Sequence, residues 1–186
     1  MRIIAGAARG RTFEAPQGRD TRPTLDRVRE NVFNILQMKV RGAQVLDLFS
    51  GSGAMAFEAI SRGAESAVLV DCDRSANAVE RQNAQKLHME AQCRILQCDW
   101  QLAVRQLMAQ GEKFDVVFLD PPYAMHDMKP VMEALRPLLH EDAVILLEHE
   151  AKVFPSTPDG YELYDSRKYG IAGVSFFRQW QTEEAE

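Results

Sequence analysis

A chain of 186 residues, 46% of them hydrophobic, can bury one core, and its length favours a single compact domain over two. No run approaches the roughly 18–20 consecutive apolar residues that span a bilayer, and the opening residues 1–6 are too short and interrupted for a secretory leader, so a cytoplasmic protein without a membrane partner is expected. The net charge of -5 argues against a protein that coats nucleic acid over its whole surface, and three cysteines (Cys72, Cys93, Cys98) with four scattered histidines signal neither a disulfide framework nor a metal site.

That charge is unevenly spread. Residues 1–41 carry nine Lys+Arg against four Asp+Glu, or +5, while the remainder carries thirteen against twenty-three, or -10. Up to Lys39 the basic residues of this arm are arginines: Arg2, Arg9, Arg11, Arg19, Arg22, Arg27 and Arg29. A guanidinium forks onto phosphates and stacks on bases, which an ammonium does less well. Within the arm, residues 2–5 and 10–15 flank a small Gly/Ala turn that predicts a hairpin, and residues 16–23 read as a polar loop. Residues 24–39 then predict a helix with Leu25, Val28, Val32, Ile35 and Leu36 on one face. The expected organisation is an extension over 1–41 ahead of a main domain over 42–186.

From residue 44 short apolar runs alternate with helical patterns. Strands are predicted over 44–48, 67–70, 93–97, 114–119 and 143–147, and helices over 54–62, 75–87, 100–109 and 128–139. Continuous apolar strands separated by helices imply a mostly parallel, doubly wound α/β sheet covered on both faces. Residues 161–180, with Gly170 and Gly173 between two strand-like segments, predict an antiparallel hairpin closing that sheet.

Two stretches carry chemistry. In Asp47-x-Phe49-x-Gly51-x-Gly53 the first strand runs into a glycine turn that opens a helix, where the backbone bends sharply and leaves N–H groups for a ligand. The next strand leads to Asp71, twenty residues beyond Gly51, the offset at which an acid receives ribose hydroxyls. Asp99, ending the third strand, is placed either to accept from an adenine amine or to cap the following helix. Gly51-x-Gly53-x-x-Ala56 also satisfies the dinucleotide pattern, so a nicotinamide-dependent oxidoreductase remains open on this loop alone. The fourth strand delivers Asp120-Pro121-Pro122-Tyr123 at its carboxyl end, where ligands gather in open α/β sheets. Two prolines remove backbone donors and stiffen the turn, leaving acceptors. Asp120 and the Pro121 carbonyl can hold both hydrogens of an exocyclic amine whose lone pair is delocalised into its ring, and Tyr123 can stack on the base. The oxidoreductase reading leaves this tetrapeptide unexplained.

The two motifs together resemble the class I amino-methyltransferases of nucleic acids, whose Rossmann-like fold is the doubly wound sheet predicted above. The segment Arg22-Pro23-Thr24-Leu25-Asp26-Arg27-Val28-Arg29-Glu30-Asn31-Val32-Phe33-Asn34-Ile35-Leu36, with Lys168-Tyr169-Gly170 near the end, is similar to the bacterial RsmD family, the 16S rRNA guanine-N2 methyltransferases. The resemblance covers nearly the whole chain. It implies S-adenosylmethionine as cofactor, with Asp47, Phe49, Gly51 and Gly53 around its methionine part, Asp71 on the ribose and Asp99 on the adenine. It further implies Asp120 to Tyr123 as the catalytic tetrapeptide acting on 16S rRNA, naked or within a small ribosomal subunit; no metal is expected, since the leaving thioether carries away the positive charge, and a monomer is the default. The family often carries glutamate where Asp71 stands. Arg9, Arg11, Arg22, Arg27 and Arg29 would then contact RNA. The tetrapeptide alone also suits N6-adenine and N4-cytosine enzymes. Glu148 and Glu150, at the end of the fifth strand, are placed either to border the site or at a solvated strand end; the histidines are expected on the surface or in caps, and Trp100 and Trp180 in core or edge packing.

Overall fold

The computed structural model describes residues 1–15, 23–122, 124–125, 127–153 and 155–180. In chain order the elements are α1 (Pro23–Ile35), α2 (Gln37–Val40), β1 (Gln44–Leu48), α3 (Ala54–Ser61), β2 (Ser66–Asp71), α4 (Arg74–Leu87), β3 (Cys93–Gln97), α5 (Trp100–Ala109), β4 (Phe114–Leu119), α6 (Lys129–Leu135), β5 (Leu139–Glu150), β6 (Tyr161–Tyr169) and β7 (Ala172–Gln179). The seven strands form one sheet in the order β3-β2-β1-β4-β5-β7-β6. Strands β1 to β5 pair in parallel, and β7 and β6 are added antiparallel. Successive strands run outward from β1 in one direction and from β4 in the other, so a crevice opens at their shared carboxyl ends.

Side chains alternate between faces along each strand. Val45 of β1 and Phe118 of β4 join a core with Val32 and Phe33 of α1 and Phe57 of α3. Leu46, Leu48 and Val117 join a second core with Val104 and Leu107 of α5 and Met132 and Leu135 of α6. The sheet is therefore covered on both faces, as the unbroken apolar strands predict.

Three local departures have physical causes. The helix expected over 24–39 stops at Ile35 and resumes as the single turn α2, and Ile35, placed on the apolar face from sequence, is 38% exposed while Phe33 is fully buried. The helix expected over 128–139 tightens into a 3₁₀ turn over Arg136–Leu138, since Pro137 has no N–H for the α-helical bond. Strand β5 begins at Leu139, four residues early. Between Phe114↔Leu139 and Val116↔Val144 its register slips, bulging out the exposed His140, Glu141 and Asp142 whose polarity hides the strand start.

The predicted N-terminal hairpin exists as one antiparallel bridge, Arg2↔Thr12, and it lies against the main sheet's helices. Ile3, Ala8 and Phe13 belong to the same core as Val45 and Phe57. Glu58 of α3, wholly buried, accepts from the backbone N–H of Ile4 (2.8 Å) and Ala5 (3.0 Å) and from Arg62 Nε (2.8 Å), with Arg29 Nε at 3.8 Å. Ser61 Oγ accepts from Ala8 N–H and donates to the Ala5 carbonyl. Gly6, at φ +84°, fits because a Cβ there would lie 1.8 Å from the Ser61 carbonyl oxygen. On α4, the buried Asn83 accepts from Glu14 N–H (2.8 Å) and donates to the carbonyls of Glu14 and Ser52 (both 3.0 Å).

Glu58 is the anion on which this docking turns. Glu58→Ala would strand two backbone donors and Arg62 Nε and take from the buried Arg29 one of its facing anions, and a broken buried pair of this kind costs about 3–5 kcal/mol. Urea unfolding of the variant should show that loss together with early proteolysis within residues 1–15; a loss below about 1 kcal/mol would mean the ion cluster does not hold the arm.

Candidate active site

The glycine turn after β1 is suspended from the sheet by two carboxylates. Asp47 Oδ2 accepts from Ala56 N–H (3.1 Å) in the first turn of α3, and Asp71 Oδ2, at the end of β2, accepts from Gly51 N–H (2.9 Å). Phe49 and Ser50 N–H both donate to the Val70 carbonyl. This path forces Phe49 to φ +77°, Gly51 to +57° and Gly53 to +76°, and a Cβ on Gly53 would meet the Phe57 and Leu69 side chains at 2.5 and 2.7 Å. Glycine at 53 is thus required by both conformation and space.

The electrostatics here are those of a site short of positive charge. Asp47, 2% exposed, is pushed up to about 7, chiefly by burial, with Asp120 and Asp71 adding like-charge repulsion against the single bond from Ala56. Glu80 of α4, wholly buried beneath the loop, is pushed up to about 8 by burial, against the bond from Ser50 Oγ, with Asp47 and Asp71 raising it further. Its second oxygen, Oε2, has no hydrogen-bond partner among the described residues, which favours the protonated carboxyl. Glu80 and Ser50 carry no motif. A signal was nonetheless present: the buried face of α4 repeats at helical spacing through Ala76, Asn77, Glu80, Asn83, Ala84 and Leu87, and half of those positions are polar.

Asp71 is half-buried, and its Oδ1 accepts from Asp73 N–H (2.9 Å). Asp99 is exposed and caps α5, accepting from Leu102 N–H (2.8 Å), so the capping alternative is realised. Asp120 and Pro121, both half-buried, lie just past β4, beside β1 in the sheet, and Asp120 is close enough to raise Asp47. The Pro122 carbonyl accepts from Met125 N–H (2.8 Å), closing the turn, while the Pro121 carbonyl has no hydrogen bond among the described residues. Tyr123 and Arg22 lie outside the described residues.

A concavity adjoins the tetrapeptide on the side of β5. It is lined by Asp120, Pro121, Met125, Met128, Leu147 and Glu148, with Glu150 also bordering it. Of the two readings of this strand end, the bordering one is realised, with Glu148 half-buried and Glu150 still exposed. His149 is no loose surface residue either. Its Nε2 lies 2.9 Å from Ser175 Oγ and its Nδ1 2.8 Å from the Glu150 carbonyl, and a Cβ on the facing Gly173 would come within 2.4 Å of the ring.

Of the arm's arginines, Arg9, Arg11 and Arg27 are exposed, and Arg11 donates to the Leu87 carbonyl. Arg29 is a correction. It is 4% exposed, donating to the Arg2 carbonyl and Asp26, facing Glu58 and lying over the Phe13 ring, so it serves the arm's docking and presents no surface to RNA. Trp180, expected in packing, is 65% exposed.

These residues fit a cationic nucleoside better than a dinucleotide. A pyrophosphate beside Asp47, Asp71 and Asp120 would meet repulsion, and the Ala56 N–H at the start of α3 is already taken by Asp47. The ammonium and sulfonium of S-adenosylmethionine would relieve that negative charge, and its ribose hydroxyls would find Asp71 at the end of β2.

Comparison with known proteins agrees. The family profile described as "Conserved hypothetical protein 95" matches residues 1–178. The chain is 33% identical to ribosomal RNA small subunit methyltransferase D of Escherichia coli K12, over 98% of this chain and 90% of the relative. It is 32% identical to the protein of the same name from Haemophilus influenzae, over 96% and 93%. The solved structure of a hypothetical protein from Thermus thermophilus superposes with a TM-score of 0.81 at 30% identity, covering 96% of this chain and 99% of that one. With the profile spanning nearly all of its length and relatives a third identical from end to end, the chain belongs to the conserved hypothetical protein 95 family, the RsmD family that its motifs resemble.

Proposed function

We propose that this protein transfers a methyl group from S-adenosylmethionine to the exocyclic N2 amine of a guanine in 16S rRNA, acting in the cytoplasm on the small ribosomal subunit or its precursor. The observation that carries this reading is the position of Asp120-Pro121-Pro122 at the end of β4, between the carboxylate-hung glycine loop and an open concavity, in a chain of this family. When bound, the cofactor supplies an electrophilic methyl on a sulfonium. Asp47 would hold its ammonium and Asp71 its ribose, while Asp99, already engaged in capping, would reach the adenine edge. Asp120 and the Pro121 carbonyl would accept the two amine hydrogens, orienting the nitrogen lone pair toward the methyl carbon. Asp120 or water would take the proton that the amine nitrogen loses on methylation. A splayed-out base in loop RNA reaches such a site at small cost, with Tyr123 stacking on it. Arg9, Arg11, Arg22 and Arg27, within the extension 1–41, would meet the RNA backbone.

The direct test incubates the protein with labelled S-adenosylmethionine and small subunits from cells lacking its gene, then identifies the labelled nucleoside. N2-methylguanosine is expected; methyladenosine or methylcytidine would overturn the base assignment. Asp120→Asn should reduce kcat by at least about 100-fold, within the range of general acid–base and positioning effects, with S-adenosylhomocysteine affinity unchanged.

A pH dependence follows from Asp47. Raised to about 7 in the free protein, it is largely protonated at pH 6 and ionised at pH 8, and only the ionised form pairs with the cofactor's ammonium. S-Adenosylhomocysteine affinity by calorimetry should therefore rise by roughly tenfold from pH 6 to 8, and Asp47→Asn should bind weakly with no such slope. A slope retained in Asp47→Asn would assign the titration elsewhere.

Arg9→Ala and Arg27→Ala should each weaken binding to 16S rRNA and flatten its dependence on salt by about one counterion. Arg29→Ala should instead lower the unfolding midpoint. An unchanged salt slope in both surface variants would remove them from the interface.

A further inference from the structure

We propose that the tip of the β6–β7 hairpin is a second RNA contact, with Ile171 as the wedge that keeps the nucleotide beside the target guanine unstacked; this rests on the base-methylation reading above. The stretch Lys168-Tyr169-Gly170, which no step of methyl transfer uses, leads into this turn. Tyr169 pairs with Ala172, so Gly170 and Ile171 are the two central residues, and Gly170 at φ +65° takes the left-handed first position of a tight hairpin. Small polar residues usually fill such turns. Here the second position carries a β-branched apolar side chain that is 78% exposed. The tip is nonetheless held. Ala151 N–H donates to the Ile171 carbonyl (2.8 Å), prolonging the ladder past β5, and Tyr169 packs against the core that contains Val174 and Phe176.

A single exposed apolar side chain is ordinary on a protein surface. This one borders the concavity that holds Asp120 and Pro121, together with Val153, itself 40% exposed. Its place in the sheet says what it can reach. Leu119 pairs with Leu147, so Asp120 stands level with Glu148, whereas Ile171 stands level with Ala151, just past the end of β5. That offset is about 10 Å along the strands, and β7 lies two strand spacings from β4, about 10 Å across. A base held at Asp120 is therefore beyond Ile171, while its sugar and the next nucleotide are within reach. Apolar side chains inserted between base steps hold them apart in nucleic-acid complexes, and a base taken out of its stack costs the unstacking. A rigid wedge on the flank of the site keeps the neighbouring base from closing the gap. The exposed Lys152, next to Val153, and Lys168 offer charge to the flanking phosphates, while Arg167 is taken by Asp165 (3.0 Å).

The test uses small subunits reconstituted on 16S rRNA that carries 2-aminopurine, whose fluorescence is quenched by stacking, at each nucleotide flanking the methylated guanine in turn. Wild-type protein should raise the fluorescence at one of the two positions by at least about twofold, as an unstacked step requires. Ile171→Ala should lose most of that rise and about tenfold in kcat/KM, and Ile171→Leu should keep both. S-Adenosylhomocysteine affinity and the unfolding midpoint should not move in either variant, since the side chain is exposed. Lys168→Ala should flatten the salt dependence of subunit binding by about one counterion. Wild-type kcat/KM in Ile171→Ala, or no rise with wild-type protein at either position, would overturn the wedge while leaving the enzyme assignment intact. A loss of kcat/KM with the fluorescence rise intact would set Ile171 against a ribosomal protein and overturn it equally. Wild-type protein that labels no guanine at all would instead sink the base-methylation reading, and this inference with it.

Discussion

Negative charge gathered at the carboxyl ends of parallel strands, where burial outweighs the pull of Arg81 on Glu80, is the constraint around which this molecule is built. Asp47 is the last residue but one of β1, Asp71 ends β2 and Asp120 follows β4, three neighbouring strands, and Glu80 lies beneath them. In other folds a lysine would relieve such crowding. Here two of the acids are raised toward neutrality, and the carboxylates take up the loop's own N–H groups. Acids whose pKa rises on folding add most to stability below their ordinary range and subtract from it as pH climbs toward 7 and 8. Such an arrangement is costly unless a cation arrives, which makes the site's strain and its ligand preference the same fact.

Much of the fold was readable because parallel strands buried on both faces leave a plain trace. Strands β1, β3 and β4 coincide with their apolar runs, and the glycine turn and the Asp-Pro-Pro turn fall where the topology needs them. What escaped was set by tertiary contact. The start of β5 is polar because its register bulges, and Ile35 is exposed because the helix breaks one residue later. Arg29 shows the limit most clearly. In the sequence it is one of seven arginines ahead of Lys39 in a basic arm, and only the placement of Glu58, twenty-nine residues on, turns it inward.

The candidate site was legible in its motifs and illegible in its supports. Spacing locates Asp47, Asp71 and Asp120, since each lies at or within one residue of a strand's carboxyl end. Glu80, Asn83 and Glu58 lie within helices, and their roles depend on which helical face meets which loop. Polar residues at buried helical spacing are the one local sign of such supports. They are also what gives the site its rigidity, because Asn83 binds both Glu14 of the arm and Ser52 of the glycine turn.

That shared asparagine has a bearing on how the chain is made. Residues 3 to 13 carry Ile3 and Phe13 toward a core whose other walls include α1, α3 and the end of α4, so they have nowhere to go when they first leave the ribosome. The anchors of Arg11 and Glu14, namely Asn83, Lys86 and the Leu87 carbonyl, are synthesised 69 to 76 residues later. At about 5–20 residues per second the first apolar residues of a newborn chain wait on the order of several seconds for their partners. The segment most basic in character is thus also one that stays open for part of its synthesis, beside the very particle whose RNA its relatives' names invoke.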